Sequence, residues 1–374
     1  MTVVATRTQG QPASEQHGDN FAAIRLIAAV LVVFGHSFPL TGGHGPGYLG
    51  SPVSTLAVKV FFVISGYLIS ESWVRDPNMV RYLLRRSLRI FPALIILCLV
   101  TVLVVGPTLT ALPVSTYFDK SGTWSYFWNV GLLPNYSLPG VFASNIYPNA
   151  VNGSLWTLPV EFLMYLIMPL VLLLPMSRYA VVVAALALSA ASVWFTRIHI
   201  PDAPPVFWGT NSLNALEMAP YFLWGAAYRF WCKRGQYLNL QVAVLMLLLL
   251  PLLATDWLRS EVVALIVVPY LTLAFGHAAP PVFARLERYG DFSYGAYLYG
   301  FLCQQIVAHF LPSANQWLNF LLAVAPTLLL GMLSWKLVEE PALKLKPRRR
   351  VRRADVIASK NATQPFSAHP GVST

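Results

Sequence analysis

The chain has 374 residues, of which 56% are hydrophobic and 11% are charged, and its mean hydropathy is +0.58. Soluble globular domains carry roughly 25% charged residues, so this composition excludes an ordinary soluble domain and predicts a polytopic membrane protein. The net charge of +11 does not indicate nucleic-acid binding, because the basic residues lie in short clusters between apolar segments. Cys98, Cys232 and Cys303 show neither a pairing pattern nor the spacing of a metal site.

Apolar segments long enough to cross a bilayer follow one another along most of the chain. They predict an all-α bundle of about ten transmembrane helices. The even number places both termini on the same side of the membrane. The predicted spans are 21–38, 54–70, 88–106, 155–174, 179–195, 213–231, 240–254, 262–275, 293–311 and 317–338.

Loop charges set the expected orientation of these spans. Twenty basic residues fall on the side of the termini and three on the other side, which places both termini in the cytoplasm. We therefore expect a multi-pass protein of the plasma (inner) membrane. Its parts are a cytoplasmic segment at 1–19, a transmembrane domain at 20–345, and a basic, disordered tail at 346–374 beside the membrane lipids.

The first predicted span carries two ionisable residues, Arg25 and His36. They are eleven residues apart, so both project from one helix face, separated by about 16 Å along the axis. Charged groups inside a membrane are costly and usually functional. The alternative is that Arg25 extends to the near interface and His36 faces solvent at the far end.

Arg86 and Arg89 lie at the cytoplasmic start of the third predicted span. Residues three apart share one side of a helix, and paired guanidinium groups suit bidentate capture of phosphates. The alternative is that these arginines only fix the topology.

Glu161 lies about two turns into the fourth predicted span, at the expected depth of His36. A carboxylate beside an imidazole can orient the ring and raise its basicity, as in general-base catalysis. The alternative is a structural ion pair between Glu161 and Lys59. In the second span, Ser65 and Gly66 are small residues that favour close helix packing.

The longest predicted outer loop, 107–154, is rich in aromatic residues, Asn, Pro and Gly. This composition suits an ordered lid or a surface on which sugars stack. The alternative is an ordinary aromatic belt at the membrane interface. No nucleophile elbow, P-loop or metal-binding cluster is visible in the sequence, so we expect no metal site.

Several motifs occur together in a fixed order along the chain. They are R-x10-H from Arg25 to His36, FFVISGYLI, R-x-x-R at Arg86 and Arg89, SLWTLPVEF, SYGAYLY and VEEP. This ordered set resembles the membrane acyltransferase-3 family, which includes O-acetyltransferases of surface polysaccharide, exopolysaccharide and Nod factor. The resemblance extends over about residues 20–345.

The resemblance implies transfer of an acyl group, most simply acetyl, from cytoplasmic acyl-CoA to a hydroxyl group of a carbohydrate or lipid-linked sugar at the outer face. Acyl-CoA is then a co-substrate, and no permanently bound cofactor is expected. The family's catalytic histidine matches His36, and its donor-binding pair matches Arg86 and Arg89. One departure is Gly300, where many members carry a histidine.

Combining these observations, we predict His36 and Glu161 as catalytic residues, with Arg25, Arg86 and Arg89 binding the acyl donor. The competing hypothesis is a proton-coupled transporter or flippase that uses Arg25, Lys59, His36 and Glu161 as a pathway. Further candidates for lining the site are Lys59, Ser65, Trp156, Tyr165 and Tyr294.

Overall fold

The computed structural model describes residues 19–232, 238–254, 256–278 and 290–347. The predicted cytoplasmic segment 1–19 lies outside the described residues except for Asp19. The predicted tail 346–374 lies outside them except for Lys346 and Pro347.

Within these ranges the chain is mainly helical, with two short antiparallel hairpins, β1–β2 and β3–β4. Segments of π-helix at Thr101–Val105, Trp194–Ile198 and Trp335–Glu339 extend three of the helices. In chain order the elements are α1 Phe21–Leu40, β1 Gly47–Tyr48, β2 Ser51–Pro52, α2 Val53–Arg75, α3 Met79–Val100, α4 Gly106–Leu109, α5 Val114–Asp119, α6 Ser121–Ser125, α7 Thr157–Leu172, α8 Ser177–Val193, β3 Val206–Phe207, β4 Thr210–Asn211, α9 Ser212–Trp231, α10 Leu240–Leu249, α11 Trp257–Gly276, α12 Ser293–Phe310, α13 Gln316–Ser334 and α14 Glu340–Lys344.

Seven helical segments of the described chain are long and apolar enough to cross a membrane. This confirms the prediction of a helical multi-pass membrane protein. Each of the ten predicted spans overlaps a helix, but α9, α10 and α12 are not among these seven segments. Ten crossings and cytoplasmic termini therefore stay predictions. The seven segments are Phe21–Leu40, Val53–Arg75, Met79–Leu109, Gly153–Leu172, Ser177–Ile198, Leu258–Gly276 and Gln316–Lys344.

The third helix starts nine residues before the predicted position at Leu88. The side chain of Asn78 accepts a hydrogen bond from the backbone N–H of Arg81 at 3.0 Å, which is a typical N-terminal cap and begins α3 at Met79. The arginines of the R-x-x-R region are therefore helical rather than part of a loop. Asn211, Asn239, Asp256 and Asn315 cap the starts of α9, α10, α11 and α13 in the same way.

The turn between α2 and α3 is fixed by a buried carboxylate. Asp76 accepts hydrogen bonds from Arg81 Nε at 2.9 Å and from Arg85 Nη2 at 2.7 Å. The hydrogen bond from Arg81 is the main cause that lowers the pKa of Asp76 to about 2, and the bond from Arg85 adds to it. Arg85 also donates to the carbonyl oxygen of Pro347 at 3.0 Å, which ties the end of the described chain to α3.

Helices α2 and α9 approach each other at two glycines. A Cβ atom added at Gly66 would lie 2.7 Å from the backbone carbonyl carbon of Phe222, with the carbonyl oxygen closer still. A Cβ atom added at Gly225 would lie 2.9 Å from the corresponding carbon of Val63. Both distances are shorter than an ordinary carbon–carbon contact. The predicted role of Gly66 in close helix packing is confirmed.

Side-chain amides fasten the predicted outer loop to α12. Asn145 donates to the side-chain oxygen of Gln305 at 2.8 Å, and Gln305 donates to the carbonyl oxygens of Tyr147 and Ala150 at 2.8 and 2.6 Å. Asn152 donates to the carbonyl oxygen of Leu298 at 2.7 Å. These bonds order the second half of the loop above the helix that carries the SYGAYLY motif.

Candidate active site

A cavity of about 290 Å³ lies between α1, α2, α3, α7 and α12, and the segment from Trp335 to Lys346 contributes to its lining. This volume is near the lower limit of roughly 300–1,000 Å³ that is usual for ligand pockets. We call the part of the cavity lined by Arg25, Arg86, Arg89 and Lys346 the basic end. The charged residues that line the cavity are Arg25, Arg86, Arg89, Glu161, Asp291 and Lys346.

Asp291 binds two of the predicted donor-binding arginines. Its Oδ2 atom lies 2.8 Å from Arg25 Nη2 and 2.7 Å from Arg89 Nη2. Burial raises the pKa of Asp291, but the charges of Arg25 and Arg89 outweigh that effect and hold it below its ordinary value. Asp291 therefore remains a carboxylate that positions both arginines.

Arg89 is restrained by contacts with carboxylates and aromatic rings of the protein. Besides its contact with Asp291, its Nη1 atom lies 3.3 Å from Glu339 Oε2. The guanidinium carbon also lies 5.7 Å from the ring centroid of Tyr294 and 5.8 Å from that of Trp335, within the range of cation–π contacts. Four neighbours thus restrain the position of Arg89.

Arg86 differs from Arg89 although both line the same cavity, as the three-residue spacing predicts. Its Nε atom is buried and has no hydrogen-bond partner, and no ion pair joins Arg86 to a carboxylate in the described part of the chain. A buried cation without an anion is costly. The arrangement leaves Arg86 able to bind an anionic ligand.

Glu161 lines the cavity between Ser65 and Tyr165. The hydroxyl group of Ser65 donates to Glu161 Oε1 at 2.8 Å, and the hydroxyl group of Tyr165 donates to the same oxygen. The structure thus brings three of the predicted site residues together. The alternative hypothesis of an ion pair between Glu161 and Lys59 is wrong, because Lys59 pairs with Glu217 and Glu261.

Two tyrosines of the SYGAYLY motif, Tyr294 and Tyr297, line the cavity. Tyr294 donates to the carbonyl oxygen of Ile90 at 3.0 Å, and Tyr297 hydrogen-bonds to Thr157 at 2.7 Å. Tyr294, one of the candidate lining residues, lies in the wall of this cavity. Trp156 was also predicted, but the lining comes instead from the residue that follows it, Thr157.

His36 does not belong to the lining of this cavity. Its ring contacts Phe301 edge-on, with 5.3 Å between the ring centroids, and Phe301 in turn contacts Tyr147 of the loop at 6.1 Å. Tyr297, which does line the cavity, lies one helical turn before Phe301. His36 Nδ1 is buried and has no partner, whereas Glu161 is bonded elsewhere. The expected contact between Glu161 and His36 is therefore not formed among the described residues.

Lys59 lies in a separate ion cluster rather than in the cavity. It is fully buried, and its Nζ atom lies 3.1 Å from Glu217 Oε1 and 3.1 Å from Glu261 Oε1. Arg197 approaches Glu261 Oε2 at 3.1 Å, and Tyr221 donates to Glu261 Oε1 at 3.0 Å. Two cations and two carboxylates balance each other here, so the cluster connects α2, α9 and α11.

Several residues of the cavity were not predicted from the sequence. Asp291 was not predicted as a site residue, although an isolated carboxylate just before the SYGAYLY motif was a usable signal. Trp335 and Lys346 gave no signal, because the approach of 335–346 to α3 is a tertiary contact. At Gly300, a Cβ atom would lie 2.7 Å from a methyl group of Val33, so a larger side chain there would require Val33 to move.

These features define a helical membrane protein with a cavity that is cationic at one end and carries a hydrogen-bonded carboxylate beyond it. The family described as "Acyltransferase domain" matches residues 19–336. The chain belongs to this acyltransferase-3 family and is an acyltransferase.

Three named relatives are similar to the chain over most of its length. An O-acetyl transferase of Shigella phage Sf6 is 29% identical over 86% of this chain and 94% of its own. Nodulation protein 10 of Rhizobium leguminosarum is 28% identical over 92% of this chain and 98% of its own. The peptidoglycan O-acetyltransferase of Listeria monocytogenes is 24% identical over 88% of this chain and 56% of its own. No solved structure matches the chain.

Proposed function

We propose that this acyltransferase is an O-acyltransferase of the inner membrane. It moves an acyl group, acetyl in the simplest case, from cytoplasmic acyl-CoA to a hydroxyl group of a carbohydrate or lipid-linked sugar at the outer face. The observation that carries the proposal is the cavity between the membrane helices, whose basic end includes an arginine without a carboxylate partner.

The donor enters through the basic end. The phosphates of acyl-CoA are too polar to cross the bilayer, so they remain at the basic end of the cavity, on the cytoplasmic side. The pantetheine arm extends along apolar walls that include Phe61 and Phe62. This path brings the thioester to the level of Glu161.

The reaction joins the acceptor oxygen to the acyl carbon and breaks the thioester carbon–sulfur bond. The proton of the acceptor hydroxyl group leaves through a base and finally protonates the released thiolate of CoA. His36 is the proposed base, and such assistance contributes about 10²–10⁴-fold to a rate. An acyl-histidine intermediate would divide the transfer into two steps, with the same bonds formed and broken overall.

His36 can take this role only if Phe301 moves. The Phe301 ring contacts His36, and its neighbour one turn earlier, Tyr297, lines the cavity. A change of the Phe301 rotamer would connect the cavity to the imidazole. Glu161 then supports proton removal, either on His36 directly or through the hydroxyl groups of Ser65 and Tyr165 that are bonded to it.

A carbohydrate acceptor is supported by the names of the relatives, which include a peptidoglycan O-acetyltransferase. The second half of the loop 107–154 is ordered by its amide bonds to α12 and exposes Tyr147. Exposed aromatic rings at Trp124 and Trp128 suit either sugar stacking or a membrane interface.

The transporter hypothesis loses its pathway in this structure. It requires Lys59 on the same route as Arg25 and Glu161, but Lys59 is enclosed in the balanced cluster with Glu217 and Glu261. No observation on the described residues favours it over acyl transfer.

The test uses purified protein in vesicles of known orientation, with labelled acetyl-CoA on one side and surface carbohydrate of the producing cells on the other. We expect label in the carbohydrate, as the mass of one acetyl substituent, only when the donor is on the cytoplasmic side. Label that appears in no carbohydrate or lipid-linked sugar would contradict the proposed function.

A further inference from the structure

The basic end of the cavity contains two kinds of cation. Arg25 and Arg89 share Asp291, and Arg89 also contacts Glu339. Two carboxylates therefore balance these two arginines. Arg25 and Arg89 each contact a protein carboxylate, so we assign them a structural role at the basic end.

Arg86 and Lys346 form the other kind. Both line the cavity, and neither has an ion pair with a carboxylate in the described ranges. Glu161, the remaining carboxylate of the cavity, accepts hydrogen bonds from Ser65 and Tyr165. Arg86 and Lys346 are thus two cations without an ion-pair partner among the described residues, although the charge of Glu161 also acts on Arg86.

Lys346 is held in place through its backbone, which leaves its side chain available. The chain at this point is tied to α3 by the hydrogen bond from Arg85 to the carbonyl oxygen of Pro347 at 3.0 Å, and the Lys346 N–H donates to the carbonyl oxygen of Leu343 at 3.2 Å. Burial, followed by the charges of Arg86, Arg89 and Arg85, lowers the pKa of Lys346 to about 8. A bound anion would offset the repulsion from these neighbouring positive charges and stabilise the protonated lysine.

Building on the proposed function, we infer that Lys346 and Arg86 together bind a phosphate group of the acyl donor, while Arg89 positions Asp291 and does not itself hold the phosphate. Two unpaired cations on opposite segments match a phosphate that carries two negative charges. The segment after α14 is then part of the donor site, and the two arginines of the R-x-x-R motif have different roles.

The test compares Lys346→Gln with Lys344→Gln in the full-length protein. Lys344 is two residues away, but its side chain is 70% exposed and pairs with Glu340 at 2.9 Å, so it is a matched control. Equilibrium binding is measured with acetyl-CoA, with adenosine 3′,5′-bisphosphate, and with acetyl-pantetheine, a thioester that lacks the nucleotide phosphates.

We expect Lys346→Gln to weaken acetyl-CoA and adenosine bisphosphate binding about tenfold to hundredfold, the range for a lost charged hydrogen bond. Acetyl-pantetheine binding stays unchanged, and Lys344→Gln matches wild type with all three probes. Lys346→Arg retains affinity within about threefold. In transfer assays the loss appears in KM with little change in kcat.

Adding Arg86→Gln to Lys346→Gln checks whether both cations bind one group. If they do, the double variant loses less affinity than the two single losses predict together. Equal acetyl-CoA binding by Lys346→Gln and Lys344→Gln overturns the inference, as does an equal loss with acetyl-pantetheine, which indicates a structural defect.

Failure of the proposed function can be distinguished from failure of the phosphate-site inference. Wild type that transfers no acetyl group but binds adenosine bisphosphate in a Lys346-dependent manner contradicts the function and supports the phosphate site. Wild type that binds neither acetyl-CoA nor the bisphosphate overturns the inference itself.

Discussion

Replacing Gly66 with alanine tests how closely the cavity depends on helix packing. A Cβ atom at Gly66 would lie 2.7 Å from the carbonyl carbon of Phe222 on α9. Ordinary carbon–carbon contacts are about 3.5–4.0 Å, so α2 and α9 must separate by about 1 Å. Such overpacking costs roughly 1–3 kcal/mol in the free energy of unfolding.

The same displacement reaches the site, because Ser65 is the preceding residue and its hydroxyl group is bonded to Glu161. A misplacement of about 1 Å can lower an enzymatic rate by about 10²-fold. We therefore expect Gly66→Ala to lower both the unfolding temperature of the purified protein and its rate of acetyl transfer.

Gly131→Ala is the matched control, since a Cβ atom at Gly131 meets nothing within 4 Å. It should keep the unfolding temperature and transfer rate of wild type in the same detergent. If Gly66→Ala is as stable and as active as Gly131→Ala, the close approach of α2 and α9 does not support the cavity as described.

Three further predictions concern charged groups. Glu161→Gln should lower acetyl transfer about 10²–10⁴-fold while acetyl-CoA still binds; transfer at the wild-type rate would contradict a catalytic role. Lys346 is protonated below its pKa of about 8, so donor affinity should fall between pH 7 and 9 in wild type but not in Lys346→Arg; the same fall in both would refute the assignment. The charged groups that act on Lys346 are Arg85, Arg86, Arg89 and Asp291. The folded-state pKa of Asp76 lies below the ordinary value, so its contribution to stability is present above about pH 4 and is lost towards pH 2. Asp76→Asn should therefore lower the unfolding temperature at pH 7. An unchanged unfolding temperature would contradict this prediction.

Local sequence patterns predicted the helices and part of the site because those features depend on periodicity. The ten apolar segments all fall on helices, and the spacing of Arg86 and Arg89 places both on one cavity wall. Gly66 is a close-packing residue for the same reason, since a small residue on a helix face permits close approach.

The contacts between distant segments could not be predicted in this way. Lys59 pairs with Glu217 and Glu261, which are far away in sequence, rather than with Glu161. The third helix starts early because of the Asn78 cap, a local feature that apolarity does not detect. His36 shares a helix with Arg25, but Phe301 of α12 lies against its ring.

The most direct test of the account is label transfer from cytoplasmic acetyl-CoA in vesicles of known orientation, measured for wild type and for His36→Ala. His36 contacts Phe301 and lies outside the cavity lining, so His36→Ala should remain folded and still bind acetyl-CoA. We predict that wild type acetylates the carbohydrate and that His36→Ala does not. Transfer by His36→Ala at the wild-type rate, or transfer from acetyl-CoA supplied only at the outer face, would contradict the account.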